Sequence, residues 1–187
     1  MMKYSAFTAK FDGVAREIIT KVGISAPFVA DSVEVDDDRI MKTTALWDTG
    51  ATNCVITRKT ALEMGLKPVG IRKVCHAGGE SYPCVYLINI YLPNNNMIQN
   101  VSVTECDDAA GSFGIIIGMD VITLGDFSLT NVDGKTVFSF RTPSIKTIDY
   151  AQEARDLKAL QYKGVLPNDL CPCGSGKKFK HCHKGKI

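Results

Sequence analysis

Short apolar segments separated by turn-forming residues characterise the first 143 residues of the chain. The segments richest in β-branched and aromatic residues are 14–24, 43–47, 85–92, 98–106 and 135–140. Turn-forming residues separate them at Pro27, Gly78-Gly79, 93–96 and Asp133-Gly134. Apolar and polar positions partly alternate in 87–92 and 136–140, as they do in half-buried strands. Strands this short and frequent predict a mostly β domain, either a barrel or a sandwich.

Three segments have helical character. Residues 58–64 follow Thr57, a candidate N-cap, and a short helical turn is expected after Gly118. Residues 149–164 form a longer helix by pattern, with Asp149 as its cap. The apolar stripe of this last helix is narrow, so we interpret it as a linker helix that packs weakly.

Composition places the chain among ordinary globular proteins. It has 187 residues, of which 45% are apolar and 22% charged, and its net charge is +2. This length suits one domain, or one domain with an appendage, and the small charge says little about partners. No apolar run of membrane-spanning length is present, and the start does not resemble a secretory signal. We therefore expect a cytoplasmic protein, in which clustered cysteines more often bind metal than form disulfides.

Asp48 is the first candidate for chemistry. The apolar residues 45–47 predict a buried strand that delivers this carboxylate into a tight turn at Gly50. Burying a carboxylate at such a place costs free energy, so its presence there suggests a function. The hydroxyl of Thr49, which lies between Asp48 and Gly50 in the sequence, could form a hydrogen bond across a dimer axis. The plainer interpretation is that Asp48 only caps a turn.

The order of parts along residues 14–141 resembles the retropepsins, the retroviral-type aspartic proteases. An apolar strand leads into Asp48-Thr49-Gly50-Ala51, a glycine-rich hairpin spans 76–80, and Ile116-Ile117-Gly118 precedes a short helix. The resemblance implies a closed acid-protease barrel with short helices. It also implies that Asp48, Thr49 and Gly50 form the catalytic turn, and that Gly78 and Gly79 form a flap over the substrate. A plain hairpin turn is the alternative for these two glycines.

The same resemblance implies a mechanism that hydrolyses peptide bonds without a cofactor. Two carboxylates share one proton, because two like charges at close range cannot both ionise. This chain has one such motif and is too short for two lobes, so the second carboxylate must be Asp48 of another copy in a homodimer. We interpret Asp120 as structural, capping the helix after Gly118. Both chain ends extend beyond the retroviral pattern, so the dimer interface is expected to be built differently.

Two further features depart from the family pattern or add to it. Trp47 is larger than the usual aliphatic residue, and its indole N–H needs a partner if it is buried. Cys75 and Cys84 flank the hairpin and could face each other across it. Their oxidation could then control the hairpin, but we favour the interpretation that both are buried free thiols.

The last 17 residues contain a second candidate site. Two cysteines one residue apart are followed by eight residues and then Cys-His, a Cys₃His set that suits tetrahedral zinc. The run from 171 to 178 closely resembles the SEC-C motif at the end of the SecA translocase motor. By that resemblance the ligands are Cys171, Cys173, Cys182 and His183. His181 is a possible substitute for His183, and a disordered basic tail is the alternative to a metal site.

These parts predict three regions: a protease domain at 1–143, a linker helix at 144–168 and a SEC-C motif at 169–187. A closed four-ligand site is structural, so the zinc tail should recruit a partner. Its lysines would fit a chaperone, a ribosome or another acidic surface, or they only keep the tail soluble. We therefore expect an aspartic endopeptidase acting on peptide or protein substrates. The alternatives are a dimeric peptide-binding protein without turnover and a zinc-tail adaptor.

Overall fold

A computed structural model describes residues 4–28, 39–76, 79–107 and 112–184. The chain divides into two compact units, Met1–Ile145 and Lys146–Ile187. The strands in chain order are β1 Ser5–Lys10, β2 Ile18–Ser25, β3 Met41–Trp47, β4 Val55–Thr57, β5 Gly70–Ile71, β6 Val74–His76, β7 Gly79–Ser81, β8 Cys84–Tyr91, β9 Met97–Cys106, β10 Ile115–Ile117, β11 Asp126–Thr130 and β12 Val137–Thr142. The helices are α1 Arg58–Glu63, α2 Met119–Ile122 and α3 Tyr150–Gln161, with 3₁₀ turns at Val132–Gly134 and Phe179–His181.

The first unit is built on a closed barrel. Strands pair in the order β2-β3-β10-β4-β9-β8, and β8 pairs again with β2, so six strands close on themselves. Closure removes the free edges that an open sheet would expose. Isoleucine and valine side chains from these strands fill the interior, including Ile24, Ile56, Ile88, Ile115 and Val103, all fully buried. The prediction of a mostly β, closed retropepsin-like barrel is confirmed.

A second sheet and a hairpin complete the unit. Strand β12 lies between β1 and β11, antiparallel to both. Strands β6 and β7 form a separate two-stranded hairpin, and β5 adds to the barrel beside β8.

Trp47 joins the barrel to the three-stranded sheet. Its side chain is buried, and the indole N–H donates to the Thr20 hydroxyl at 2.9 Å. Its ring packs against Phe138 and Phe140 from β12, with centroid distances of 5.0 and 4.9 Å. The large residue before the Asp48 turn is therefore accommodated by a pocket of aromatic rings, and its one polar side-chain atom has a partner.

Most predicted elements are present. Thr57 caps α1 by accepting from the Thr60 N–H, and Asp149 caps α3 by accepting from the Gln152 N–H. The expected helical turn after Gly118 is α2. Strands β1 and β11 were not predicted, because each has few large apolar residues and depends on pairing with β12. The segment predicted from residue 14 begins as a strand only at Ile18.

The loop after β12 is fixed to β11 through Asp126. Its carboxylate accepts from the Ser144 hydroxyl at 2.5 Å, pairs with Arg141 and accepts from the Ile145 N–H at 3.2 Å. The Ser144 bond, then the Arg141 bond, then the Ile145 bond lower the pKa of Asp126 to about 2. A folded-state pKa below the unfolded one adds stability above the unfolded value, about pH 4, that is lost as pH falls through about 2.

Replacing Asp126 with asparagine should therefore lower the thermal midpoint at neutral pH. The deficit should shrink as pH falls from about 4 towards 2, because the wild-type carboxylate is then protonated too. Thermal unfolding of both proteins across this range measures the difference. The variant Asp12→Asn, at an exposed aspartate, is the control and should show little change. A deficit in Asp126→Asn that stays constant with pH would contradict this account.

Candidate active site and metal centre

Asp48 stands in a tight turn at the end of β3. Its backbone N–H donates to the Ile117 carbonyl at 3.0 Å, and its carbonyl accepts from the Ala51 N–H at 3.2 Å. One carboxylate oxygen, Oδ1, accepts from the Gly50 N–H at 2.8 Å. Within the described ranges, the other oxygen has no hydrogen-bond partner. The carboxylate is thus oriented by the turn and half-buried, with one oxygen available, while Thr49 and Gly50 are exposed.

The strand β10 runs between β3 and β4 and brings Gly118 against the turn. It is parallel to β3, with Ile117 beside Trp47, and antiparallel to β4. A Cβ on Gly118 would lie 2.6 Å from the backbone carbon and oxygen of Asn53 and 2.9 Å from the Ala51 oxygen. The Met119 N–H then donates to that same Ala51 oxygen at 2.8 Å. Only a residue without a side chain fits this approach, so Gly118 is required where the two segments cross.

Cys54 and Asp120 hold the start of β4 against the residues that follow β10. The sequence alone did not single out this cysteine. Asp120 accepts from the Cys54 N–H at 2.9 Å and from its thiol at 3.1 Å. The thiol in turn accepts from the Gly118 N–H at 3.3 Å, and burial raises the pKa of Cys54. The expected helix cap is corrected here, because Gly118 is the N-cap of α2 and Asp120 instead holds the loop before β4.

The hairpin of β6 and β7 lies where the flap was expected. Its register places His76 opposite Gly79 and Cys75 opposite Glu80. Gly79 has φ of +120°, which favours glycine, whereas Gly78 lies outside the described residues. Cys84 belongs to β8, where it is paired with Ile71 and is a half-buried free thiol, while the side chain of Cys75 lies outside what the structure describes.

Arg72 links the base of this hairpin to the segment that follows the Asp48 turn. Its backbone N–H donates to the Pro83 carbonyl at 3.1 Å, and its guanidinium donates to the Asn53 side chain at 3.1 Å. Sequence reasoning missed this residue, because a single arginine among turn residues has no pattern of its own.

In the second unit, the four predicted metal ligands come together. One ligand atom from each of Cys171, Cys173, Cys182 and His183 lies within 4.8 Å of the others. The Cys173 and Cys182 sulfurs are 3.6 Å apart, and His183 Nδ1 is 3.3 Å from the Cys171 sulfur and 3.2 Å from the Cys182 sulfur. Ligands on a tetrahedral zinc with bonds of about 2.3 Å are about 3.8 Å apart, so this donor set fits such an ion.

The chain around the cluster explains why the ligands converge. Gly174 and Gly176 have φ of +75° and +69°, which turns the chain back so that the Cys171 N–H donates to the Lys177 carbonyl at 2.8 Å. Hydrogen bonding to the Ser175 hydroxyl, followed by its backbone N–H, lowers the pKa of Cys173 to about 6, which favours a ligating thiolate. His181 is exposed and is not one of the four clustered residues.

Aromatic packing supports the last ligand. The Tyr162 ring, just after α3, stacks on Phe179 at a centroid distance of 5.7 Å and lies 5.2 Å from the His183 ring. Phe179 also accepts backbone N–H bonds from Cys182 and His183 at 3.0 Å each.

Comparison with known families gives one match in each of the two units. Residues 32–121 match the aspartyl protease family model, and residues 168–184 match the SEC-C motif. The chain thus contains one region that is similar to aspartyl proteases and a second that is similar to the SEC-C motif. The first match contains the Asp48 turn, the β6–β7 hairpin and Gly118, and the second contains all four clustered ligands.

Curated SecA translocase subunits match a short stretch of this chain. The SecA translocase subunit of Anaplasma phagocytophilum is 73% identical over 22 residues, which are 12% of this chain and 2% of that protein. The SecA subunit of Chromohalobacter salexigens is 85% identical over 38 residues, which are 19% of this chain and 4% of that protein. The chain therefore spans only a few per cent of the length of these relatives.

Solved structures of retropepsin-like proteins resemble this chain at low sequence identity. A retropepsin-like aspartic protease from Rickettsia conorii has a TM-score of 0.44 at 10% identity, covering 76% of this chain and 98% of the other. The retroviral protease-like domain of Ddi1 from Leishmania major has a TM-score of 0.38 at 18% identity, covering 63% and 91%. No helix in the described ranges has the length and apolar character needed to span a bilayer.

Proposed function

We propose that this retropepsin-like domain is an aspartic endopeptidase whose catalytic carboxylate is Asp48. The observation that carries this proposal is the geometry of the turn. The Gly50 N–H orients Oδ1 of Asp48, and Gly118 packs closely against the backbone of Ala51 and Asn53. A carboxylate fixed in this way, with one oxygen available, can hold or accept a proton at a defined place.

The second carboxylate in this proposal is Asp48 of another copy. The sequence has one Asp-Thr-Gly motif, and the nearby Asp120 is engaged by Cys54 and the Val121 N–H, so it is not available as a partner. The exposed Thr49 hydroxyl would lie near the dimer axis. A homodimer with twofold symmetry would then place two identical carboxylates side by side.

The chemistry follows from that pair. The ionised carboxylate removes a proton from a water molecule, whose oxygen attacks the peptide carbonyl carbon, while the protonated carboxyl donates its proton to the carbonyl oxygen. Proton transfer to the amide nitrogen then allows the C–N bond to break. Gly79 and the rest of the β6–β7 hairpin would close over the peptide as a flap, which excludes water other than the attacking one.

Incubation of casein or a peptide library with the purified protein tests this proposal. We expect cleavage that is fastest at mildly acidic pH and declines at higher pH as the shared proton is lost. A rate that rises steadily past pH 8, or no cleavage of any peptide, would contradict the proposed mechanism. The absence of cleavage together with stable peptide binding would favour the alternative of a non-catalytic binding protein.

For the SEC-C unit we propose a structural zinc ion held by Cys171, Cys173, Cys182 and His183. A closed set of four protein ligands leaves no open position for substrate, so the ion would stabilise the fold of the unit. Among the described lysines of the tail, Lys177, Lys178, Lys180 and Lys184 are all exposed. They suit recruitment of an acidic surface on a chaperone or ribosome, and Lys186 lies outside the described residues.

Replacing Cys182 with serine should abolish zinc binding and unfold the tail while sparing cleavage of a short peptide. The tail buries few apolar residues, so metal binding, on the order of 10 kcal/mol in such modules, must supply most of its folding free energy. Metal analysis of the reduced protein and hydrogen exchange over 169–184 measure the two effects. His181→Ala is the matched control and should keep one zinc per chain. If chelation of zinc stops peptide cleavage, the two units are not independent.

A further inference from the structure

The guanidinium of Arg72 forms hydrogen bonds only to neutral groups among the described residues. Nη1 donates to the Asn53 side-chain oxygen at 3.1 Å and to the Thr104 hydroxyl at 3.2 Å. Nη2 donates to the Ser102 hydroxyl at 3.4 Å. A guanidinium has five N–H donors, so these contacts hold its position and leave donors for a further partner.

Its positive charge also lacks a carboxylate within the described part of the chain. The ion pairs there use Arg58, Lys59, Lys73 and Arg141, and Arg72 takes part in none of them. The neighbouring Lys73 is already paired with Glu80 at 2.5 Å. A half-buried charge held in place without a counter-charge is a favourable binding site for an anionic group.

The position of this charge relates it to the proposed active site. Asn53, which accepts from Arg72, is the residue whose backbone lies against Gly118 behind the Asp48 turn. On its other side, Arg72 comes two residues before β6, and its backbone bond to Pro83 fixes the base of the hairpin. The guanidinium is therefore held beside the segment that follows the Asp48 turn, and the backbone of the same residue is held at the base of the proposed flap.

From this arrangement we infer that Arg72 determines specificity by binding an aspartate or glutamate side chain of the substrate close to the scissile bond. The inference rests on the proposed protease function. A guanidinium fork matches the two oxygens of a carboxylate, and Asn53, Thr104 and Ser102 hold the fork so that little ordering is needed on binding. The substrate class is therefore peptides with an acidic residue near the cleavage site.

A peptide library with cleavage sites read by mass spectrometry tests this inference. Wild-type protein should favour Glu or Asp at one position flanking the cleaved bond. For a peptide pair that differs only by Glu or Gln at that position, kcat/KM should be about tenfold higher for Glu. Arg72→Gln should bring this Glu-to-Gln ratio close to one. Arg72→Lys should keep part of the ratio, and Lys73→Gln, the matched charge control, should keep all of it.

The outcomes separate this inference from the proposed function. Cleavage by wild type without an acidic preference, or an equal loss for both peptides in Arg72→Gln, would overturn the role of Arg72 and leave the protease function standing. No cleavage by wild type would overturn both. If Arg72→Gln does not fold, Arg72→Lys decides, because an ammonium lacks the planar fork of the guanidinium and should lower the Glu-to-Gln ratio. A ratio in Arg72→Lys equal to that of the wild type would then count against the inference.

Discussion

Replacing Asp48 with asparagine is expected to reduce peptide cleavage by about 10³-fold or more, because the pair loses both its proton acceptor and its proton donor. The fold should persist, since the asparagine side-chain oxygen can still accept from the Gly50 N–H, as Oδ1 of Asp48 does at 2.8 Å. Steady-state kinetics on one library-derived peptide, together with thermal unfolding, separate the loss of chemistry from a loss of structure.

The exposed Asp12 provides the control for this substitution. Asp12→Asn makes the same chemical change away from the turn and should leave kcat/KM within about twofold, as most surface substitutions have small effects. If Asp48→Asn retains wild-type cleavage, Asp48 does not act in the reaction, and its turn would be a structural feature of the barrel.

Replacing Gly118 with alanine is expected to have the second large effect, on stability and activity together. The added Cβ would lie 2.6 Å from the backbone of Asn53, and backbone atoms cannot move aside as a flexible side chain can. We expect a loss of about 3 kcal/mol in the free energy of unfolding and a displaced Asp48 turn. Urea denaturation and peptide kinetics measure the two consequences.

Gly13→Ala is the matched control, because nothing lies within 4 Å of a Cβ added there. Its stability should change little. Equal stability of Gly118→Ala and wild type would contradict the close approach of Gly118 to the backbone of Asn53.

Local chemistry explains which parts of the fold could be predicted from sequence. The cap residues Thr57 and Asp149 accept hydrogen bonds from N–H groups three residues further along the chain. Their effect can therefore be predicted from the adjacent sequence. Strand β11 has no such local marker, and it exists because Phe127 and Leu129 pair with Phe140 and Phe138 of β12. Tertiary pairing therefore decided the elements that sequence reasoning missed.

The same distinction applies to the sites. The Asp48 turn and the four tail ligands each lie within a short sequence motif, so these residues can be predicted from the sequence alone. Cys54 and Asp120 are 66 positions apart, and their contact depends on how β10 threads beside β4. Arg72 likewise meets Ser102 and Thr104 only after the barrel has closed. Supporting residues of this kind become visible only in three dimensions.

An active site shared by two copies of Asp48 is tested most directly by refolding wild-type protein with increasing amounts of Asp48→Asn. If each site needs both carboxylates, mixed dimers are inactive, and cleavage per wild-type chain should fall in proportion to the wild-type fraction. Cleavage per wild-type chain that stays constant at every ratio would show that one chain suffices and would contradict the account.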